Sequence, residues 1–82
     1  MKVKIDLTAW SYSAPCGAVV YENDEVIDSE YCDDVEEFKM FLKKHEDAID
    51  VTTDLVFEIK ATDVDYVSET VKEINDYFET LV

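Results

Sequence analysis

Residues 18–32, AVVYENDEVIDSEYC, decide how the chain folds. Two strand-forming runs, residues 18–22 and 25–32, flank the dipeptide Asn23-Asp24. Asn and Asp tolerate the left-handed backbone of a two-residue hairpin loop, although the favoured glycine is missing. The pattern predicts an antiparallel hairpin in which Val20 opposes Ile27 and Tyr21 opposes Val26. In such a tight hairpin Cys16 and Cys32 fall on adjacent strands, roughly diagonal to each other, which leaves a disulfide between them open.

Outward from the hairpin, residues 2–11 alternate. Val3, Ile5, Leu7 and Ala9 share one side; Lys4, Asp6, Thr8 and Trp10 share the other, as in a strand with one buried face. Ser13-Ala14-Pro15-Cys16-Gly17 is the expected turn into the hairpin. On the far side, Asp33-Asp34 opens a helix, with acidic residues at the positive end of its dipole. Val35, Phe38, Leu42, His45 and Ile49 form its apolar stripe, Phe41 widens it, and Lys43 and Lys44 sit towards its C-terminal half. Residues 52–61 read as a fourth strand, with Leu55, Phe57 and Ile59 opposed to Val56, Glu58 and Lys60. Thr62 or Asp63 then caps a last helix whose stripe is Val64, Val67, Val71, Ile74, Phe78 and Leu81.

The element order is therefore β-β-β-α-β-α. A helical crossover makes the fourth strand parallel to its neighbour with a right-handed connection, and the first strand is the natural neighbour. The expectation is a four-stranded mixed sheet of order 3-2-1-4. Two helices suffice to cover one face, giving an α/β (α+β) two-layer sandwich with Lys4, Asp6, Trp10, Glu58 and Lys60 on the open side. At 82 residues the chain is one domain, 1–82, with one modest core.

Charge restricts function most. Asp and Glu number 21 against 7 lysines and no arginine, for a net charge of −14. Such a field repels phosphates, so unassisted binding to DNA, RNA or an anionic membrane is excluded, and a basic protein partner is favoured. Solubility or adaptation to high salt produces the same excess. No apolar run approaches the ~20 residues of a membrane span, and Met1 to Asp6 do not read as a signal peptide. The expected compartment is the cytoplasm, with both cysteines reduced. One histidine supplies too few ligands for a Cys/His zinc site.

Residues 22–37 hold nine carboxylates and no lysine: Glu22, Asp24, Glu25, Asp28, Glu30, Asp33, Asp34, Glu36 and Glu37. They lack the D-x-D-x-D-G spacing of a calcium loop, as does Asp63-Val64-Asp65, so a solvated acidic face is expected in place of a metal site. On the last helix, Asp65, Glu69, Glu73 and Asp76 share one flank. Four residues of helix advance ~6 Å, the same order as the spacing of successive phosphates along a nucleic-acid strand. A phosphate-mimicking surface follows from that spacing; an ordinary amphipathic helix in an acidic protein shows it too. Trp10, Tyr12 and Tyr21 are expected to form an aromatic patch at one end of the sheet, where aromatics ringed by carboxylates suit a protein interface. His45 lies on an apolar stripe and reads as a satisfied, partly buried histidine. Cys16 has no cation nearby in sequence to activate it.

The order of elements resembles the first two-thirds of the ribonuclease H-like fold. That family's first strand ends in T-D-G-S, and Thr8-Ala9-Trp10-Ser11 stands in a comparable place, followed by Tyr12-Ser13 and the returning GAVVY. The family's first helix carries a catalytic glutamate near its start, matched by Glu37 or Glu36. Its fourth strand ends in T-D-S before a tyrosine-containing helix, matched by Thr62-Asp63-Val64-Asp65-Tyr66-Val67. Family chemistry needs carboxylates holding two divalent metals about 3.5–4 Å apart. Ala9 stands where the first ligand should be. Asp6 cannot replace it, being on the opposite face of the strand and ~10 Å along it. The family's last strand and helix have no counterpart in these residues. The resemblance thus implies a scaffold without catalytic residues, metal or cofactor.

The expected function is that of a non-enzymatic binding protein. Its acidic surface would dock, in a DNA-mimicking manner, on a basic nucleic-acid-handling protein. In type it is similar to small inhibitors carried by phages and mobile elements, such as anti-CRISPR, anti-restriction and glycosylase-inhibitor proteins; phage origin would place it in the host cytoplasm. The alternatives are a minimal ribonuclease H-like nuclease using Asp63 and Glu37, and an interaction module that forms a homodimer through its open sheet face or a free strand edge.

Overall fold

A computed structural model describes residues 1–10 and 16–82. Its elements are β1 (Lys2–Asp6), β2 (Cys16–Glu22), β3 (Glu25–Cys32), α1 (Val35–Lys44), β4 (Asp54–Glu58), a short 3-10 turn (Ala61–Asp63) and α2 (Val64–Leu81). The sheet order is β3-β2-β1-β4. β1 runs antiparallel to β2, from Lys2 opposite Tyr21 to Asp6 opposite Gly17, and parallel to β4, from Lys2 opposite Asp54 to Asp6 opposite Glu58.

Val3 and Ile5 of β1, Leu7 just beyond it, and Ala18 and Val20 of β2 form a buried face and share one core with Phe38, Phe41 and Leu42 of α1 and Val67, Ile74 and Phe78 of α2. Both helices therefore cover one face of the sheet. Burying each of the larger side chains contributes roughly 1.5–3 kcal/mol. Lys4, Asp6, Val19, Tyr21 and Glu58 occupy the other face.

β1 stops at Asp6, well short of the expected residue 11. Asp6 Oδ1 accepts hydrogen bonds from Thr8 N (2.9 Å) and Thr8 Oγ1 (2.7 Å). Trp10 N then donates to Leu7 O at 3.1 Å. These local bonds turn the backbone out of the extended conformation, so side-chain alternation no longer holds beyond Leu7. Trp10, expected on the open side, instead packs against the core, its ring 5.8 Å from that of Phe38 and tilted by 46°. Tyr12 and the expected turn up to Pro15 lie outside the described residues.

The hairpin loop forms as its residues dictate. Asn23 and Asp24 both have positive φ, 51° and 66°, as a loop matched to strand twist requires. Tyr21 opposes Val26, but the register then slips, and Val20 opposes Asp28, where Ile27 was expected. One extra residue in β3 exchanges the faces of everything beyond it. Asp28, Glu30 and Cys32 therefore point to the helical side; Ser29 and Tyr31 point to the open side; Ile27 is 54% exposed. Cys16 becomes the direct register partner of Cys32, where the unbroken hairpin would make them diagonal.

α1 starts through reciprocal side-chain bonds. Asp34 Oδ1 accepts from Glu37 N at 2.8 Å, and Glu37 Oε2 accepts from Asp33 N at 2.6 Å. Lys43 and Lys44 occupy its last turn, and His45 ends it, so the buried Ile49 lies in the segment beyond the helix. β4 ends at Glu58, before Lys60. In α2, Val64 was expected on the buried stripe but is exposed. As first residue of the helix, its side chain leans towards the N-terminus and past the packed turns.

Candidate partner-binding surface

The bulge in β3 builds one polar cluster on the helical side. Asp28 Oδ2 lies 2.8 Å from Lys44 Nζ and 2.8 Å from His45 Nε2. Lys44 also reaches Glu30 Oε1 at 3.7 Å. Hydrogen bonds from Lys44 and then His45 hold the Asp28 carboxyl below the usual carboxylate range. The same contact with Asp28, reinforced by Glu30, raises Lys44. The His45 ring also packs on Phe41, centroids 5.0 Å apart, so it is a positioned, half-buried histidine joining α1 to β3.

Cations sort the remaining carboxylates. Glu36 pairs with Lys39 at 3.6 Å, and Asp76 with Lys72 at 2.7 Å, which raises Lys72. Asp34 and Glu37 are engaged at the start of α1. Asp28, with Glu30 beside it, serves Lys44, so Asp28 is an internal tie and not an outward contact. Glu22, Asp24 and Glu25 at the hairpin end, with Asp33, are exposed and in no ion pair among the described residues. The same holds for Asp65, Glu69 and Glu73, which rise along α2 at four-residue intervals. Expected acidic residues thus fall into two groups, one around β3 and the start of α1, the other on α2.

The aromatic residues are distributed differently from expectation. Tyr21 is half-buried on the open face beneath two lysines, with Lys2 Nζ 4.8 Å and Lys4 Nζ 5.9 Å from its ring centroid. Burial works to lower Lys4; Glu58, 3.5 Å away, and Tyr21 outweigh it and raise the group. Tyr31, absent from the expected patch, is exposed at 84%, and Tyr66 of α2 at 63%. Only the bulge places Tyr31 outward; in unbroken alternation it would share a face with Val20. Met40 is exposed beside it, and Val26 is exposed at the hairpin end of the same strand. Two shallow hollows flank this part of β3. One, of about 260 Å³, lies over Gly17 between Val19, Ser29 and Tyr31; the other, of about 300 Å³, lies between Glu30, Tyr31, Glu37 and Met40.

The positions matched to nuclease ligands lie in separate local settings. Ala9 packs against the core, Glu37 caps α1, and half-buried Asp63 stands at the N-cap of α2. Among the described residues no three His, Cys, Asp or Glu side chains group as a metal site. Cys16 and Cys32 are buried thiols; burial raises both and pushes Cys32 up to about 12. No described helix is long and apolar enough to cross a membrane. No family model, curated protein or solved structure matches the chain.

Proposed function

We propose that this is a non-enzymatic binding protein that docks an acidic surface on a basic, nucleic-acid-handling protein, in the manner of the small inhibitors of phages and mobile elements. The carrying observation is the set of exposed carboxylates that join no ion pair among the described residues. Asp65, Glu69 and Glu73 form an exposed row of like charge on α2, and Glu22, Asp24 and Glu25 a second group, within a net charge of −14. Rows of fixed negative charge ~6 Å apart address the cationic groove of a protein built to hold phosphates. In this reading the chain performs no catalysis and needs no cofactor.

The test is binding to a purified basic nuclease across a salt series. Affinity is expected to fall steeply from low to high salt, and duplex DNA is expected to compete. Reversing Glu69 and Glu73 to lysine should weaken binding while leaving the exposed face of α2 folded. Affinity independent of salt would overturn the proposal.

A further inference from the structure

We propose that β3 offers its free edge to an extended, lysine- or arginine-bearing segment of the partner, which joins the sheet as a fifth strand beside residues 29–31. This rests on the acidic-docking reading above and specifies where and in what form the partner engages. The sheet order leaves β3 paired on one side only, so its alternate backbone N–H and C=O groups face away from β2. β3 has eight residues against five for β4, the other edge. Its outer border also carries the exposed apolar groups Val26 and Tyr31, with Met40 of α1 alongside.

The two hollows flank residues 29–31, one on each face of the strand. An added strand projects its side chains alternately to those two faces. On the open face the hollow over Gly17 accepts an apolar side chain against Val19 and Tyr31. On the helical side, Glu30 and Glu37 each have one oxygen engaged, by Lys44 and Asp33 N, and present the other beside the apolar stem of Met40, surroundings that suit a lysine or arginine.

Charge selects the occupant. A second copy laid along β3 would place Glu25, Glu30 and their neighbours against the same carboxylates, with a net charge of −14 on each body. That edge repels its own kind and any acidic strand. A basic strand reverses the sign of every one of those contacts, and Tyr31 gives its cations an exposed ring face.

The experiment uses the full chain, labelled with nitrogen-15, and two capped heptapeptides at low salt. One alternates Lys and Val; the other has the same lysines with Gly in place of Val. The Lys-Val peptide is expected to bind about tenfold tighter, with amide shifts and new exchange protection centred on β3. Tyr31→Ala should reduce its affinity to that of the Lys-Gly peptide without changing the protein's circular dichroism or melting, because Tyr31 is almost wholly exposed. Equal affinity for the two peptides, or shifts centred on α2, would overturn the edge site and leave the electrostatic reading standing. No binding by either peptide would overturn both.

Discussion

Asp28 Oδ2 is held between Lys44 Nζ and His45 Nε2, each 2.8 Å away, tying the middle of β3 to the end of α1. The tie exists because a single extra residue in β3 turns an acidic side chain to the helical side. On β1 and β2 the inner face is built from Val3, Ile5, Ala18 and Val20. Here the partly covered edge strand admits a charge, because two donors meet it at once.

Asp28 should govern part of the acid limb of stability. Its folded-state pKa is depressed, so its contribution is fully present above the unfolded value of about 3.9 and is lost as pH falls through the lower folded value. Asp28→Asn is expected to be less stable than the parent at pH 7, with a flatter decline below pH ~4. Urea titrations at neutral and acid pH measure both. An acid limb identical in parent and variant would remove the assigned role.

Phe38 is fully buried and packs, tilted, against Trp10. Phe38→Ala should cost about 3–5 kcal/mol, a large part of the stability expected of so small a domain. Phe38→Leu should cost less than about 2 kcal/mol and keep the fold. Trp10 is the only tryptophan, so its emission reports directly on this contact. A red shift is expected for the Ala variant under native conditions.

The loop residues Asn23 and Asp24 bear left-handed backbone angles without glycine. Asp24→Gly relieves the Cβ crowding of that conformation and removes one negative charge. A gain of up to about 1 kcal/mol is expected in urea melts. Asp24→Val, which suits the left-handed region badly, should lose at least as much. A stabilised Val variant would contradict the loop geometry.

Cys16 and Cys32 face each other across the hairpin, buried, with the Cys32 thiol pushed up to about 12. Under native conditions at pH 8, where only a minute fraction of such a thiol is ionised, an aromatic disulfide reagent should react slowly. Unfolding in denaturant should bring both to the rate of free cysteine. Fast native labelling of Cys32 would show that this end of the hairpin opens readily.

Much of the architecture was legible from local patterns. The alternation of Val3, Ile5 and Leu7, the two helical stripes, the Asn23-Asp24 loop and the acidic start of α1 each reflect short-range physics: pleat parity, helix periodicity, turn stereochemistry and capping. Crossover handedness then leaves the strand order 3-2-1-4 as the natural arrangement. The candidate surface was legible as a list of carboxylates, because charge is a property of composition.

Which of those carboxylates face outward was decided only in three dimensions. Lys44 comes from α1 to claim Asp28, Lys39 and Lys72 claim Glu36 and Asp76, and the exposed rows of Glu22 to Glu25 and Asp65 to Glu73 are what remains. Trp10 moved to the core because Asp6 bonds back to Thr8 and ends strand parity there. Tyr31 moved outward, and Asp28 inward, because one residue slipped in the pairing of β3. A period-two pattern carries no mark of such a slip. Its cost and gain lie in contacts with α1, more than ten residues further along the chain, and those contacts exist only once the layers have packed.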